Sequence, residues 1–167
     1  KLVMQLAMTM VGLCAIVVIV NVDYRLFVDR YWIVLWLVSI ALLGITLIFG
    51  ATGANGTETS NKSWLTIIKI GSREFQIQPS EFVKIAFIIS FSKHLSLVKG
   101  TINKPKTLFQ LAIHAGAIVG LILLSGDLGV ALVYLAMIAL MLFCAGLHWG
   151  YFAGMGGALT VAFPFLW

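Results

Sequence analysis

Six long apolar runs separated by short polar breaks leave this chain few ways to fold. Residues 2–20, 31–50, 79–97, 107–124, 127–147 and 150–167 each read as a membrane span, since about 20 mostly apolar residues in a helix cross roughly 30 Å of hydrocarbon. The sixth run meets the chain end without a flanking charge, so it reads as cut short. Hydrophobic residues make up 61% of the chain and charged residues 10%, and the mean hydropathy is +1.06. Soluble domains are roughly a quarter charged, so a water-soluble fold is excluded. The expected fold class is all-α: a polytopic helical membrane protein with five to six transmembrane helices. They form a single transmembrane domain with one long outer loop over residues 51–78.

A net charge of +5 would suggest nucleic acid in a soluble protein. Here the basic residues gather mostly in the connections between apolar runs, as membrane topology requires, and no nucleic-acid partner is expected. Orientation follows from the connection around residues 98–106, which is short, carries Lys99, Lys104 and Lys106 with Lys93 just before it, and has no acid. Such a loop stays in the cytoplasm. Alternation then places the loop 51–78 and the Ser125-Gly126 turn outside. The connection carrying Asp23, Arg25, Asp29 and Arg30, and the turn at His148, fall inside.

Cys14 and Cys144 lie within apolar runs and read as small packed hydrophobes rather than a disulfide. Gly116 with Gly120, and Gly146 with Gly150 and Gly154, are four apart, a spacing that lets membrane helices approach closely. The chain has no initiator Met and no signal peptide, and reads as a piece of something longer.

Within the outer loop, residues 52–63 are polar and turn-forming. From Trp64 the character changes: Ile68-Lys69-Ile70 and Phe75-Gln76-Ile77 alternate apolar with polar around Gly71-Ser72-Arg73-Glu74, which predicts a small hairpin at the membrane surface. Trp64 fits an interfacial anchor. At Gln78-Pro79-Ser80-Glu81 the loop becomes a helix, because Pro at the first helical position loses no hydrogen bond and has its φ already set. With Gln78 as cap, Glu81 falls at the third helical position, where a carboxylate can reach back to the cap N–H and meets the positive end of the helix dipole. Lys84 lies three residues further on, near enough to pair with Glu81 or to snorkel to the interface. Charge inside a span is costly and usually faces a cavity, so the pair reads as functional rather than as a cap and a snorkel.

A second acid stands at Ser125-Gly126-Asp127-Leu128-Gly129, which joins two apolar runs with almost no loop. Asp127 is a good helix N-cap. By alternation it also shares the outer face with Glu81 and Lys84, so the three can line one outward-facing cavity. His114, midway along its run, reads as a neutral imidazole bonded to a neighbouring helix rather than as a proton relay. His94 and His148 fall at the inner surface. No pair of histidines has metal-ligand spacing, and no metal site, phosphate loop or nucleophile elbow is visible.

Trp64, Gly71 and Gln78-Pro79-Ser80-Glu81 with Lys84, followed by Gly126-Asp127-Leu128-Gly129 and Ala145-Gly146-Leu147, resemble the SEDS family (shape, elongation, division and sporulation), which includes RodA, FtsW and SpoVE. The run Gln-Pro-Ser-Glu-x-x-Lys, opening a span after a long outer loop, is the specific part of the resemblance. Ser63 stands before Trp64 where the family usually has Arg, and Ser125-Gly126 precedes Asp127 where Gln-Pro is usual. The resemblance implies about ten helices, of which this chain looks like the second through the seventh. It also implies a peptidoglycan glycosyltransferase of the bacterial cytoplasmic membrane that polymerises lipid II on the outer face beside a class B penicillin-binding protein. The family's proposed catalytic aspartate lies in a later outer loop, beyond Trp167.

On that reading Lys84, with Arg73, supplies cationic partners for a lipid-linked pyrophosphate. Glu81 orients Lys84. Asp127 either holds a divalent cation or fixes its helix end, and Gln78, Ser80 and Trp64 complete the candidate cavity. The rival readings are a transporter or flippase of lipid-linked substrate, whose buried charges serve a translocation path, and a noncatalytic membrane scaffold. Reporter fusions after Lys104 and after Asn55 are expected to report the cytoplasm and the outside respectively. A translocated Lys104 would reverse the topology.

Overall fold

The computed structural model describes residues 2–21, 24–50, 62–70, 73–152 and 154, and leaves the side chains of 24–27, 67–70, 73–75 and part of the first helix undescribed. Asp23, the segment 51–61 with Asn55, the Gly71-Ser72 corner and nearly all of the sixth apolar run lie outside the described residues. The described residues form five helices: α1 (Leu2–Asn21), α2 (Tyr24–Phe49), α3 (Pro79–Val98), α4 (Pro105–Leu124) and α5 (Leu128–Cys144). Between α2 and α3 stands one hairpin of β1 (Leu65–Ile70) and β2 (Arg73–Ile77).

Helix is the outcome that hydrocarbon demands, because a backbone N–H or C=O there finds no water and must be bonded within its own segment. Val28–Phe49 and Pro105–Leu124 are each long and apolar enough to cross a bilayer. The helix α2 begins at Tyr24, ahead of the apolar run at Tyr31, so Arg25, Asp29 and Arg30 lie on its first turns rather than in a loop. Polar side chains do not end a helix whose backbone bonds are made. Asp29 Oδ1 also meets Lys93 Nζ on α3 at 2.6 Å, which ties these turns to the neighbouring helix.

The core lies between α2, α3, α4 and α5, which pack on one another in turn. Val83, Phe87, Phe91 and Leu95 on α3 are buried at intervals of one turn. They face Leu111, Ala115, Ile118 and Ile122 on α4 and Ala131, Tyr134, Ile138 and Leu142 on α5. The opposite faces carry Phe82, Ile85, Leu124, Leu132 and Leu140, all well exposed. An apolar surface of this extent is incompatible with water and suits lipid or further protein. Both cysteines are free thiols at exposed positions, so neither packs inside this bundle.

Two hydroxyls within α2 are satisfied locally: Ser39 Oγ donates to the Leu35 carbonyl and Thr46 Oγ1 to that of Leu42, both at 2.7 Å. His114, 4% exposed, is bonded to a neighbouring helix as expected, with Nε2 at 3.3 Å from Ser90 Oγ on α3. The Trp36 indole of α2 donates to the His114 carbonyl at 3.0 Å. His94 Nδ1 lies 3.2 Å from His114 Nδ1, a meeting invisible in the linear spacing because antiparallel packing of α3 and α4 creates it. No group of three or more His, Cys, Asp or Glu side chains fit to hold a metal occurs among the described residues.

The expected glycine packing is corrected. A Cβ on Gly116 or Gly120 would meet nothing within 4 Å, so neither marks a close approach between described helices. Gly146 is a turn residue with φ +88°. It closes α5 while the Leu147 N–H returns to the Leu142 carbonyl at 3.1 Å, a left-handed cap that favours glycine.

The hairpin is antiparallel, pairing Leu65 with Ile77, Lys69 with Glu74 and Ile70 with Arg73, with a register shift between Thr66 and Ile68. Arg73 and Glu74 therefore belong to β2 rather than to the connection.

Tyr134 links α5 to the head of α3. It is fully buried, and its hydroxyl donates to the Ser80 carbonyl at 2.9 Å. Tyr134→Phe in the full-length protein is expected to cost about 1 kcal/mol, read as a melting-temperature drop of about 2–4 °C. Tyr134→Ala, which also opens a void, should cost on the order of 3 kcal/mol or more. Equal melting temperatures for the wild type and Tyr134→Phe would show that the bond contributes nothing.

Candidate functional site

Two helix starts meet at one end of the bundle. Pro79 opens α3 after an extended Gln78 (φ −96°, ψ 104°), and Asp127 caps α5. The turn between α4 and α5 is tight because Gly126 adopts φ +82°, which lets the chain reverse within three residues and leaves Asp127 poised at the next helix. Asp127 Oδ1 accepts from the Val130 N–H at 3.0 Å, as an N-cap does. Its other oxygen, Oδ2, accepts from Gln78 Nε2 at 3.1 Å. One carboxylate thus caps α5 and holds the residue that precedes α3. Capping α5 and holding Gln78 are the roles this geometry shows for Asp127.

Gln78 forms no side-chain cap bond to its own helix, since its amide is turned to Asp127. Glu81 faces Lys84, whose Nζ lies 2.8 Å from Oε1 and 2.9 Å from Oε2. The Glu81 side chain is 55% exposed and that of Lys84 23%. An exposed pair three residues apart adds only a few tenths of a kcal/mol to stability. The pair therefore does little for the fold. Both Glu81 oxygens lie within hydrogen-bond reach of the Lys84 ammonium, whose three N–H groups leave donor capacity for another anion.

Of the residues singled out from the sequence, Gln78 and Asp127 are brought into contact, and Ser80 is buried with its carbonyl bonded to Tyr134. Glu81 and Lys84 pair with each other one turn away. Trp64 stands half-buried immediately before β1, and the Arg73 side chain lies outside the described residues. Tyr134 was not foreseen: it sits within an unbroken apolar run, and the only signal was that a buried phenol needs a hydrogen-bond partner. At the opposite end, Asn103 Oδ1 accepts from the His148 N–H at 2.9 Å, so the Lys-rich connection and the His148 turn share a face, as alternation requires.

Comparison with known proteins agrees over the whole length. The family profile for FtsW, RodA and SpoVE, described as cell cycle protein, matches residues 1–167. The chain is similar to a probable peptidoglycan glycosyltransferase FtsW of Trichlorobacter lovleyi, with 32% identity over 97% of this chain and 40% of that protein. It is also similar to the peptidoglycan glycosyltransferase RodA of Treponema pallidum (34% identity, 85% and 30%) and to stage V sporulation protein E of Bacillus subtilis (31%, 91% and 39%). Among solved structures it resembles the rod shape determining protein RodA of Thermus thermophilus, with a TM-score of 0.68, 26% identity and cover of 94% of this chain and 48% of that one. A chain of a peptidoglycan synthase complex that coordinates polymerization and crosslinking matches with the same TM-score and identity, over 93% and 44%. The chain spans 40% or less of the length of these curated relatives.

The double duty of Asp127 is testable by substitution. Asp127→Ala should destabilise the full-length protein by about 1 kcal/mol through the lost cap. Asp127→Asn should stay near wild type, because its amide oxygen still caps and the Gln78 amide can flip to accept from the new NH2. Equal losses for Ala and Asn in thermal unfolding would mean that the negative charge, rather than the cap, is what the site needs.

Proposed function

The chain belongs to the FtsW/RodA/SpoVE family of cell cycle proteins, and from that membership we propose that it forms one wall of the lipid-substrate cavity of a peptidoglycan glycosyltransferase. It is an integral membrane protein of helical, polytopic design. Its relatives named as peptidoglycan glycosyltransferases support the reaction class. The observation that carries the local reading is the Glu81–Lys84 pair at the head of α3, one turn from the Gln78–Asp127 contact.

The substrate we assign is lipid II, a saccharide on a polyprenyl pyrophosphate, handled at the outer face of the bacterial cytoplasmic membrane. In polymerisation the bond between the donor's anomeric carbon and its pyrophosphate oxygen breaks. An acceptor hydroxyl forms the new glycosidic bond and gives up its proton to a base, and the lipid pyrophosphate leaves with the negative charge. A fixed cation beside a lipid-accessible face stabilises that leaving charge. Lys84, held beside both oxygens of Glu81 and keeping donor capacity, suits this task. The α3 face beside it carries Phe82 and Ile85, both exposed and apolar, where a polyprenyl chain can lie.

We assign the base elsewhere. Glu81 pairs with Lys84, and Asp127 caps α5 and accepts from Gln78, so both acids at this end already serve a structural role. That division agrees with a family in which the proposed catalytic aspartate lies in a later loop. A crosslinking partner, a class B penicillin-binding protein, is part of the same proposal and draws on the likeness to the synthase complex.

Glu81→Ala and Lys84→Ala in the full-length protein should each lower glycan polymer yield on purified lipid II at least tenfold, with the protein still inserted and folded in the membrane. Lys84→Arg should retain part of the activity by keeping the cation. Undiminished polymer from Glu81→Ala or Lys84→Ala would overturn the assignment.

A further inference from the structure

Behind the Gln78–Asp127 contact lies a small cavity with room for about one water molecule. Its polar lining comes from five segments: Thr46 on α2, Ser63 ahead of the hairpin, Ser80 on α3, Ser125 at the end of α4 and Asp127 at the start of α5. Ser63 and Ser80 are each 6% exposed, and neither hydroxyl has a hydrogen-bond partner among the described residues. Buried hydroxyls left unbonded are uncommon and costly, and a pair of them lining one cavity calls for a common partner.

Hydrogen-bond valence identifies that partner. Thr46 Oγ1 spends its proton on the Leu42 carbonyl and Ser125 Oγ on the Ile122 carbonyl, both at 2.7 Å. The Asp127 carboxylate has no proton to give. These three groups can therefore only accept. Ser63 and Ser80 each hold a proton with no acceptor. The missing partner must accept from both serines and can donate to the acceptors beside it, at the scale of one small molecule, and water has that valence. A bound cation of similar size would meet the oxygen lone pairs but leave both serine protons unplaced.

We infer that this cavity is a binding site for one ordered water molecule, held between Ser63 Oγ and Ser80 Oγ and donating to the acceptors of Thr46, Ser125 or Asp127. The water joins the outer loop to α3 and to two of α2, α4 and α5. It acts with a direct backbone tie beside it, in which the Lys62 N–H donates to the Ser125 carbonyl at 3.1 Å. The loop leading to the hairpin is thus fastened to the same helix starts that present Glu81 and Lys84. The inference does not rest on the glycosyltransferase reading, since it follows from the unpaired donors alone.

The test is a double-mutant cycle in the full-length protein, purified in detergent and followed by thermal unfolding. Ser63→Ala and Ser80→Ala should each lower the melting temperature by about 2–4 °C. The double variant should fall scarcely further than the worse single one, because both substitutions remove the same bridge. Additive shifts, or no shift from either single variant, would overturn the proposal. A high-resolution structure of the full-length protein supplies a second readout. One density peak within about 2.7–3.2 Å of both serine oxygens and of a third polar atom is expected. A dry cavity, or a peak ringed by five or six oxygens at the shorter distances of a metal ion, would refute it.

Discussion

Every feature of this protein answers to the demand that a chain in hydrocarbon satisfy its own backbone. The helices do so along their length, which leaves unpaired N–H and C=O groups only at their ends. Polar side chains are then wanted at those ends, and the ends on one side of the bundle are brought together by packing. The Gln78–Asp127 bond, the Asp127 cap and the Lys62–Ser125 tie are all solutions to the same end problem. A polar cluster next to lipid is therefore a by-product of helix termination before it is a site. Once the ends are satisfied, Lys84 with its partner Glu81 is the charged group left over, and the proposed function draws on it for that reason.

The bundle also shows a division of labour between its faces. In the interior, Phe87, Phe91 and Tyr134 pack their rings, with Phe87 stacked on Phe91 at 5.1 Å and tilted against Tyr134 at 5.5 Å. Lipid offers no hydrophobic drive for helices to associate, so close packing and a few interhelical bonds carry the cohesion. The Tyr134–Ser80 bond and the Trp36–His114 bond are of this kind. Because Tyr134 grips the backbone at Ser80, one residue before Glu81, the same bond that holds α5 to α3 also sets the position of the charged turn.

Much of the fold was legible because its signals are local. Pro79 after Gln78 marks the start of α3, alternation in 68–77 marks the hairpin, and Gly126-Asp127 marks the reversal into α5. The sequence misleads where one pattern has two physical uses. Gly146 shares the four-residue spacing of Gly150 and Gly154, yet it is the left-handed residue that ends α5. Arg25, Asp29 and Arg30 carry the charge of a loop, yet Asp29 has Lys93 as a partner and the helix runs through them. The candidate site divided in the same manner. Glu81 and Lys84 declared themselves by their cost in an apolar run, while Tyr134, Ser63 and Thr46 carried no such mark.

The sequence alone determined that this protein is a set of membrane-crossing helices, where α3 and α5 begin, and that a charged pair opens one of them. These properties depend on composition and on neighbours a few residues apart, which a linear chain displays. Tertiary structure alone decided which helix ends meet. Gln78 and Asp127 are far apart in sequence, as are His94 and His114, and nothing in their spacing states that they touch, nor that Ser63 and Ser80 line one cavity. Packing of buried side chains selects those contacts. The match of hydrogen-bond donors to acceptors, which separates a cap from a binding site, exists only once the helices are side by side.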